Sequence, residues 1–275
     1  SFRRQMLMDH EHPVYAGDVG IGINPALAAR VRESDLVLAI GARLGEMVTS
    51  GYTLLDIPLP RQQLVHVLDD ADELGSVYRP TLGLVATPER FIEALPPPST
   101  LPVADWRAQS EAAHASYLAW STPTPSGAAL DLGQVVATLS RTLQPDAIVT
   151  NGAGNYTVWG HRFHRFRRHG TQLAPTSGVM GYGLPAAVAA QLTFPHRQVV
   201  CLAGDGCLLM NGQEMATAAG HQLPLVVIVF NNRSYGTIRM HQERHYSERV
   251  IGTQLHNPDF PTWARSFGAD AWRVE

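Results

Sequence analysis

Asp205 and Asn232 are the residues of this chain best suited to hold a metal ion. Asp205 lies in Gly204-Asp205-Gly206, directly after the apolar run at 198–203, and Asn232 in Asn231-Asn232, directly after the run at 225–230. A carboxylate and an amide oxygen are hard donors that suit Mg²⁺. Gly204 and Gly206 lack a Cβ, so the backbone there can approach a phosphate closely. A right-handed crossover makes the two runs parallel strands, and both motifs then fall at carboxyl ends, where open α/β sheets bind ligands. Each motif alone is ordinary turn punctuation. Together, flanking one βαβ unit, they are far more specific.

Composition narrows the chemistry. All 21 basic residues of the 275 are arginine, which excludes lysine Schiff bases, pyridoxal-phosphate anchoring and the Walker-A lysine. A metal is then the natural partner for a diphosphate. The formal charge of -3 argues against nucleic acid as a partner. Cys201 and Cys207 make no disulfide framework and no zinc pattern, which places the chain in a reducing, cytoplasmic compartment. No run of about 18 apolar residues spans a membrane. The start, Ser1-Phe2-Arg3-Arg4-Gln5, has no initiator Met and no signal core, so it reads as the middle of something longer.

The elements that must position the motifs follow from periodicity. Helix 25–32 precedes a continuous apolar run at 36–40, read as a strand buried on both faces, and a second strand falls at 64–68. Pro96-Pro97-Pro98-Ser99-Thr100 and Ser121-Thr122-Pro123-Thr124-Pro125-Ser126 bracket an alanine-rich helix at 104–120, so 96–128 is a linker. Beyond it come a helix at 131–143, strands at 147–150, 198–203 and 225–230, and a helix at 185–192 with Pro185 in its first turn. A further helix at 211–219 has Asn211 and Glu214 at capping-box spacing and Gly220 as its stop. Strands alternating with helices predict α/β architecture: two parallel-sheet, three-layer domains at 1–95 and 129–275.

Taken together, these segments resemble the thiamine-diphosphate-dependent 2-keto-acid enzymes, typified by acetolactate synthase and benzoylformate decarboxylase. The family's GDG…NN motif is matched by Gly204-Asp205-Gly206 and Asn231-Asn232. Gly178-Val179-Met180-Gly181-Tyr182-Gly183-Leu184-Pro185-Ala186-Ala187 is similar to its G-x-M-G-x-G-x-P-A-A stretch. Gly152-Ala153-Gly154-Asn155-Tyr156 with Trp159 looks like its G-x-G-Q-H-x-x-W segment, and Gly41-Ala42-Arg43 resembles its middle domain. The resemblance implies a Rossmann-like middle domain at 1–95 and a thiamine-diphosphate-binding domain at 129–275, C-terminally incomplete.

By the same resemblance, Asp205 and Asn232 would hold Mg²⁺ by side chain and Ser234 by its carbonyl. Gly204, Gly206, Cys207, Gly154 and Asn155 would line the diphosphate. Gly178 would meet the aminopyrimidine, Met180 would wedge beneath the cofactor, and Gly236 and Thr237 would close over the thiazolium. The cofactor would supply the electron sink for decarboxylating or carboligating a small 2-keto acid. The activating glutamate of the family belongs to an N-terminal domain that this sequence lacks, so no catalytic residue is assigned. The chain reads as a fragment, inactive alone, of a homodimeric or homotetrameric lyase or transferase.

Departures from the family pattern fall at Asn155-Tyr156, where acetolactate synthases carry Gln-His, and at Thr237, where Met is frequent. Arg43 is placed as in flavin-binding relatives, but Leu44-Gly45-Glu46 departs from their pattern, and FAD is not expected. A catalytically inactive nucleotide-binding or assembly fragment is the alternative. A remoter one is a nicotinamide dehydrogenase, since Gly181-Tyr182-Gly183-Leu184-Pro185-Ala186 fits G-x-G-x-x-A. The basic and aromatic stretch at 161–169 is read as a solvated face with its phenylalanines turned inward. His241 and His245 share helical ligand spacing but are read as part of a mobile loop, and Cys207 as a small lining residue.

Overall fold

The computed structural model describes residues 2–97 and 106–275. Pro98, Ser99 and Thr100 of the proline run, and Ala104 and Asp105 of the expected linker helix, lie outside the described residues. The described chain forms two compact units: Phe2 with the residues of 12–120, and Arg3–Glu11 with Ser121–Glu275.

The first unit contains α1 (Pro25–Glu33), β1 (Leu36–Ile40), β2 (Gln63–Leu68), β3 (Leu82–Val85), α2 (Pro88–Ala94) and α3 (Arg107–Trp120). Its strands are parallel in the order β1-β2-β3. Asn24 starts α1, its Oδ1 accepting from the Ala26 N–H at 3.0 Å, with Pro25 in the first turn. Gly41 ends β1 at φ +62°, and a Cβ there would lie 2.6 Å from Pro88 of α2, so glycine lets strand and helix meet. The central strand holds the core, with Leu64 and Val67 fully buried.

One expectation fails here. β1 is not buried on both faces: Val37 and Ala39 pack on Leu55, Leu64 and Tyr78, whereas Leu36 and Leu38 are 51% and 48% exposed. A continuous apolar run is apolar on both faces by alternation. Among the described residues only one of those faces is covered.

The second unit comprises α4 (Leu132–Thr142), β4 (Ile148–Asn151), α5 (Thr157–Phe163), β5 (Gln172–Leu173), α6 (Gly183–Thr193), β6 (Val199–Gly204), α7 (Asp205–Leu208), α8 (Glu214–Gly220), β7 (Val226–Phe230), α9 (Gly236–His245) and α10 (Phe260–Arg265). All its strands pair in parallel, in the order β5-β4-β6-β7. β6 is buried at every residue. Its Val199, Cys201 and Ala203 pack with Leu184, Ala187 and Val188 of α6, and its Val200 and Leu202 pack with Val149, Phe166 and Leu139. Side chains that alternate across a sheet thus fill a core on each face, which is the three-layer arrangement.

The capping box at 211–214 does not form. Asn211 instead donates its amide to the Gly181 carbonyl at 3.0 Å, and tight turns run up to Glu214, where α8 begins. Its end is a Schellman motif: Leu223 N–H donates to the Ala218 carbonyl and Gln222 N–H to Ala219. Gln222 at φ +51°, not Gly220, supplies the left-handed residue. α9 also departs from expectation, because His241 and His245 stand on a regular helix with their rings stacked 6.1 Å apart. Among the described residues no helix is long and apolar enough to cross a membrane.

Segment 161–169 turns its phenylalanines into the second unit and leaves Arg168 and His169 exposed. Phe163, His164 and Phe166 are buried, and Arg167 donates to the Ser140 and Leu143 carbonyls. Arg3–Glu11 packs on this region, with the Gln5 N–H donating to Gln172 Oε1 and the His10 N–H to the Phe166 carbonyl. Burial is the main reason that His10 and His161 titrate near 4, and Arg3 adds to the effect at His161. His164 is held at about 3 by burial, with His10 and Arg167 as lesser causes.

Two outcomes follow from this packing. Ile148→Ala, which empties the middle of the second sheet, should cost about 2–5 kcal/mol in chemical denaturation of the second unit. A loss below about 1 kcal/mol contradicts the core described. Unfolded histidines titrate near 6.5, so below that pH the unfolded chain binds more protons than the fold. Stability should therefore be full above about pH 6.5 and fall as the pH approaches 4. Melting temperatures at pH 7 and pH 5 check this, with a smaller difference expected for His164→Asn.

Candidate functional site

The carboxyl ends of β6 and β7 open into a cleft of about 1500 Å³ within the second unit. β6 runs straight into Asp205, a residue only 3% exposed. Its Oδ1 accepts from the Gly206 N–H at 2.9 Å, and its Oδ2 from the Arg233 N–H and the Asn257 amide, both at 2.7 Å. Among the described residues no cationic side chain forms an ion pair with it. A buried carboxylate satisfied by neutral donors alone still carries a charge that is costly to bury uncompensated.

β7 delivers the second motif. Asn232 Oδ1 accepts from the Ser234 N–H at 3.0 Å, closing an Asx turn. Arg233 inside that turn is left-handed at φ +57°, a strained conformation for a non-glycine residue. This aims its N–H at Asp205. The Ser234 carbonyl already accepts from the Gly236 N–H at 2.8 Å, which leaves it one lone pair for a ligand. The strand-like contact of 233–235 with 253–255 fixes the loop, through Tyr235 N–H to Thr253 and Leu255 N–H to Arg233.

The cleft brings together every sequence-predicted site residue except Gly206: Gly154, Asn155, Gly178, Met180, Gly204, Asp205, Cys207, Asn232, Ser234, Gly236 and Thr237 all line it. Gly206 is buried behind Asp205. The two motif glycines make room for aromatic rings: a Cβ on Gly204 would lie 2.8 Å from Tyr156, and one on Gly206 would lie 2.5 Å from Tyr235. Gly178, left-handed at φ +73°, has open space where a Cβ would stand.

Sequence reasoning missed the two arrangements that organise the cleft wall. Tyr156 stacks on Phe230, accepts from the Gly152 N–H at 3.0 Å and donates to Cys207 Sγ at 3.3 Å. Burial, first of all, pushes its phenol well above the ordinary range, with Cys207 adding to the shift. Cys207 Sγ also accepts from the Gly181 N–H at 3.2 Å, so the thiol is buried and engaged on two sides. Thr237 Oγ1 accepts from the Asn155 N–H and donates to Asn155 Oδ1, both at 2.9 Å. The third omission is Asn257, whose setting in Asn257-Pro258-Asp259 reads as an ordinary turn before a helix.

The donor set is of a kind that would suit a divalent cation. Among the described residues no cluster of three His, Cys, Asp or Glu side chains could hold a metal. One carboxylate, one amide oxygen and one carbonyl remain, a sparse oxygen set of the kind that Mg²⁺ completes with phosphate and water. The dehydrogenase geometry is not formed: β5 ends at Leu173 and a looped segment, not a strand, enters α6.

Comparison with known proteins identifies two family domains. Residues 1–95 match the family described as "Thiamine pyrophosphate enzyme, central domain", and residues 152–275 match "Thiamine pyrophosphate enzyme, C-terminal TPP binding domain". The acetolactate synthase large subunit of Parasynechococcus marenigrum is 36% identical over 89% of this chain and 40% of its own length. The acetolactate synthase isozyme 2 large subunit of Escherichia coli is 32% identical over 95% of this chain and 47% of its own length. The acetolactate synthase large subunit of Pyropia yezoensis is 30% identical over 89% of this chain and 42% of its own length. The chain thus spans less than half the length of these relatives. It belongs to the thiamine pyrophosphate enzymes, and carries the central domain and the C-terminal TPP binding domain of that family.

Proposed function

We propose that this chain is the central and cofactor-binding part of an acetolactate synthase-like enzyme that decarboxylates or carboligates small 2-keto acids with thiamine diphosphate and Mg²⁺. The observation that carries the reading is Asp205, a buried carboxylate without a cationic partner among the described residues, at the mouth of the βαβ unit. Asp205 and Asn232 bind Mg²⁺ through side-chain oxygens and Ser234 through its carbonyl. Gly154, Asn155, Gly204, Gly206 and Cys207 border the diphosphate, and Gly178 and Met180 the aminopyrimidine. Gly236 and Thr237 close the cleft at the start of α9. When bound, the cofactor supplies the electron sink for bond cleavage or formation next to a ketone.

The protein's part is orientation and exclusion of water. Apolar side chains of β7 and the region of α10 line much of the cleft. Turnover is assigned to a longer protein, a cytoplasmic homodimer or homotetramer, and not to this chain alone. The division at 1–95, 96–128 and 129–275 is the domain plan that this reading adopts.

The test is a thermal titration of the chain with thiamine diphosphate, with and without Mg²⁺. Ligand at one hundred times its Kd stabilises a fold by about 2.7 kcal/mol. Stabilisation should require both components and vanish in Asp205→Ala. Equal stabilisation without Mg²⁺, or in Asp205→Ala, overturns the assignment.

A further inference from the structure

The two metal-binding loops come from different strands, and something must hold them at one separation. Asn257 does so. Its amide nitrogen donates to Asp205 Oδ2 at 2.7 Å and to Asn231 Oδ1 at 2.9 Å, which spends both N–H groups across the two motifs. Its own placement is firm on both sides. Upstream, the 253–255 segment pairs with 233–235 around the buried Thr253. Downstream, Pro258 leads into α10, whose first turn is capped by Asp259 Oδ1 accepting from the Thr262 N–H at 2.8 Å.

Lone pairs decide what this means for the metal. A carboxylate offers about four acceptor positions, two on each oxygen. Arg233 and Asn257 fill both positions on Oδ2, whereas Gly206 fills only one on Oδ1. On the proposed function, we infer that Asn257 is a positioning residue that saturates Asp205 Oδ2 and thereby confines Asp205 to one-oxygen ligation through Oδ1. One-oxygen ligation suits octahedral Mg²⁺, whereas Ca²⁺ takes six to eight oxygens and accepts two-oxygen carboxylates. Asn257 therefore sets selectivity for the smaller ion as well as affinity. Among the described residues the Asn257 Oδ1 is buried without a hydrogen-bond partner.

The experiment uses the whole chain at saturating thiamine diphosphate and reads melting temperature against MgCl₂ or CaCl₂. Asn257→Ala should raise the Mg²⁺ midpoint by about tenfold, the usual scale for losing an outer-shell partner, and the Ca²⁺ midpoint by much less. Midpoints within twofold of the wild type overturn the inference. So does an equal rise for both ions, which is what a merely structural lesion gives. Should Asn257→Ala not fold, Asn257→Ser, which keeps one donor, is judged by the same two ratios. A wild-type chain without any cation dependence overturns the proposed function and this inference with it. Normal wild-type dependence with an unmoved variant overturns the inference alone.

Discussion

The second unit is organised around the burial of one negative charge. Asp205 sits at the end of a strand with no exposed residue, so its carboxylate must be satisfied from the loops around it. Three donors do this, and each imposes a structural demand. The Gly206 N–H requires the chain to turn immediately after β6. The Arg233 N–H requires a left-handed residue after Asn232. The Asn257 amide requires a distant segment to be pinned beside β7. All three donors are neutral, so among the described residues no opposite charge offsets that of Asp205.

Much of this was legible in the sequence, and the reason is periodicity. Strands β6 and β7 are uninterrupted apolar runs, and the chemistry-bearing residues come directly after them, so reading the strands also places Asp205 and Asn232. Gly178 and Met180 were legible only through the family stretch that contains them. Asn257 carries no such mark. It lies far along the chain from Asp205, and reaches it through backbone pairing that no local pattern encodes.

The misreadings have physical causes as well. Apolar alternation states which faces of β1 could be buried, but not whether anything covers them. Asn211 and Glu214 have capping spacing, yet the carbonyl of Gly181 competes for the Asn211 side chain and wins. α9 is polar almost throughout and has no buried residue, so its sequence lacks an apolar stripe. It is tied at its N-terminus to Asn155, and Arg239 and Glu243 pair along its surface.

That N-terminal contact changes how the two departures from the family pattern are understood. Asn155 and Thr237 lie far apart in the chain and look like separate substitutions. In the fold they form one reciprocal pair, with hydroxyl and amide each satisfying the other. A Met at 237 could not donate to Asn155 Oδ1, and its thioether is only a weak acceptor for the Asn155 N–H. Conversely, the pair occupies the Thr237 hydroxyl, leaving it less able to interact with a substrate. The two positions therefore act as one physical unit that joins the start of α9 to the loop after β4, and the polarity of this part of the cleft is a property of the pair.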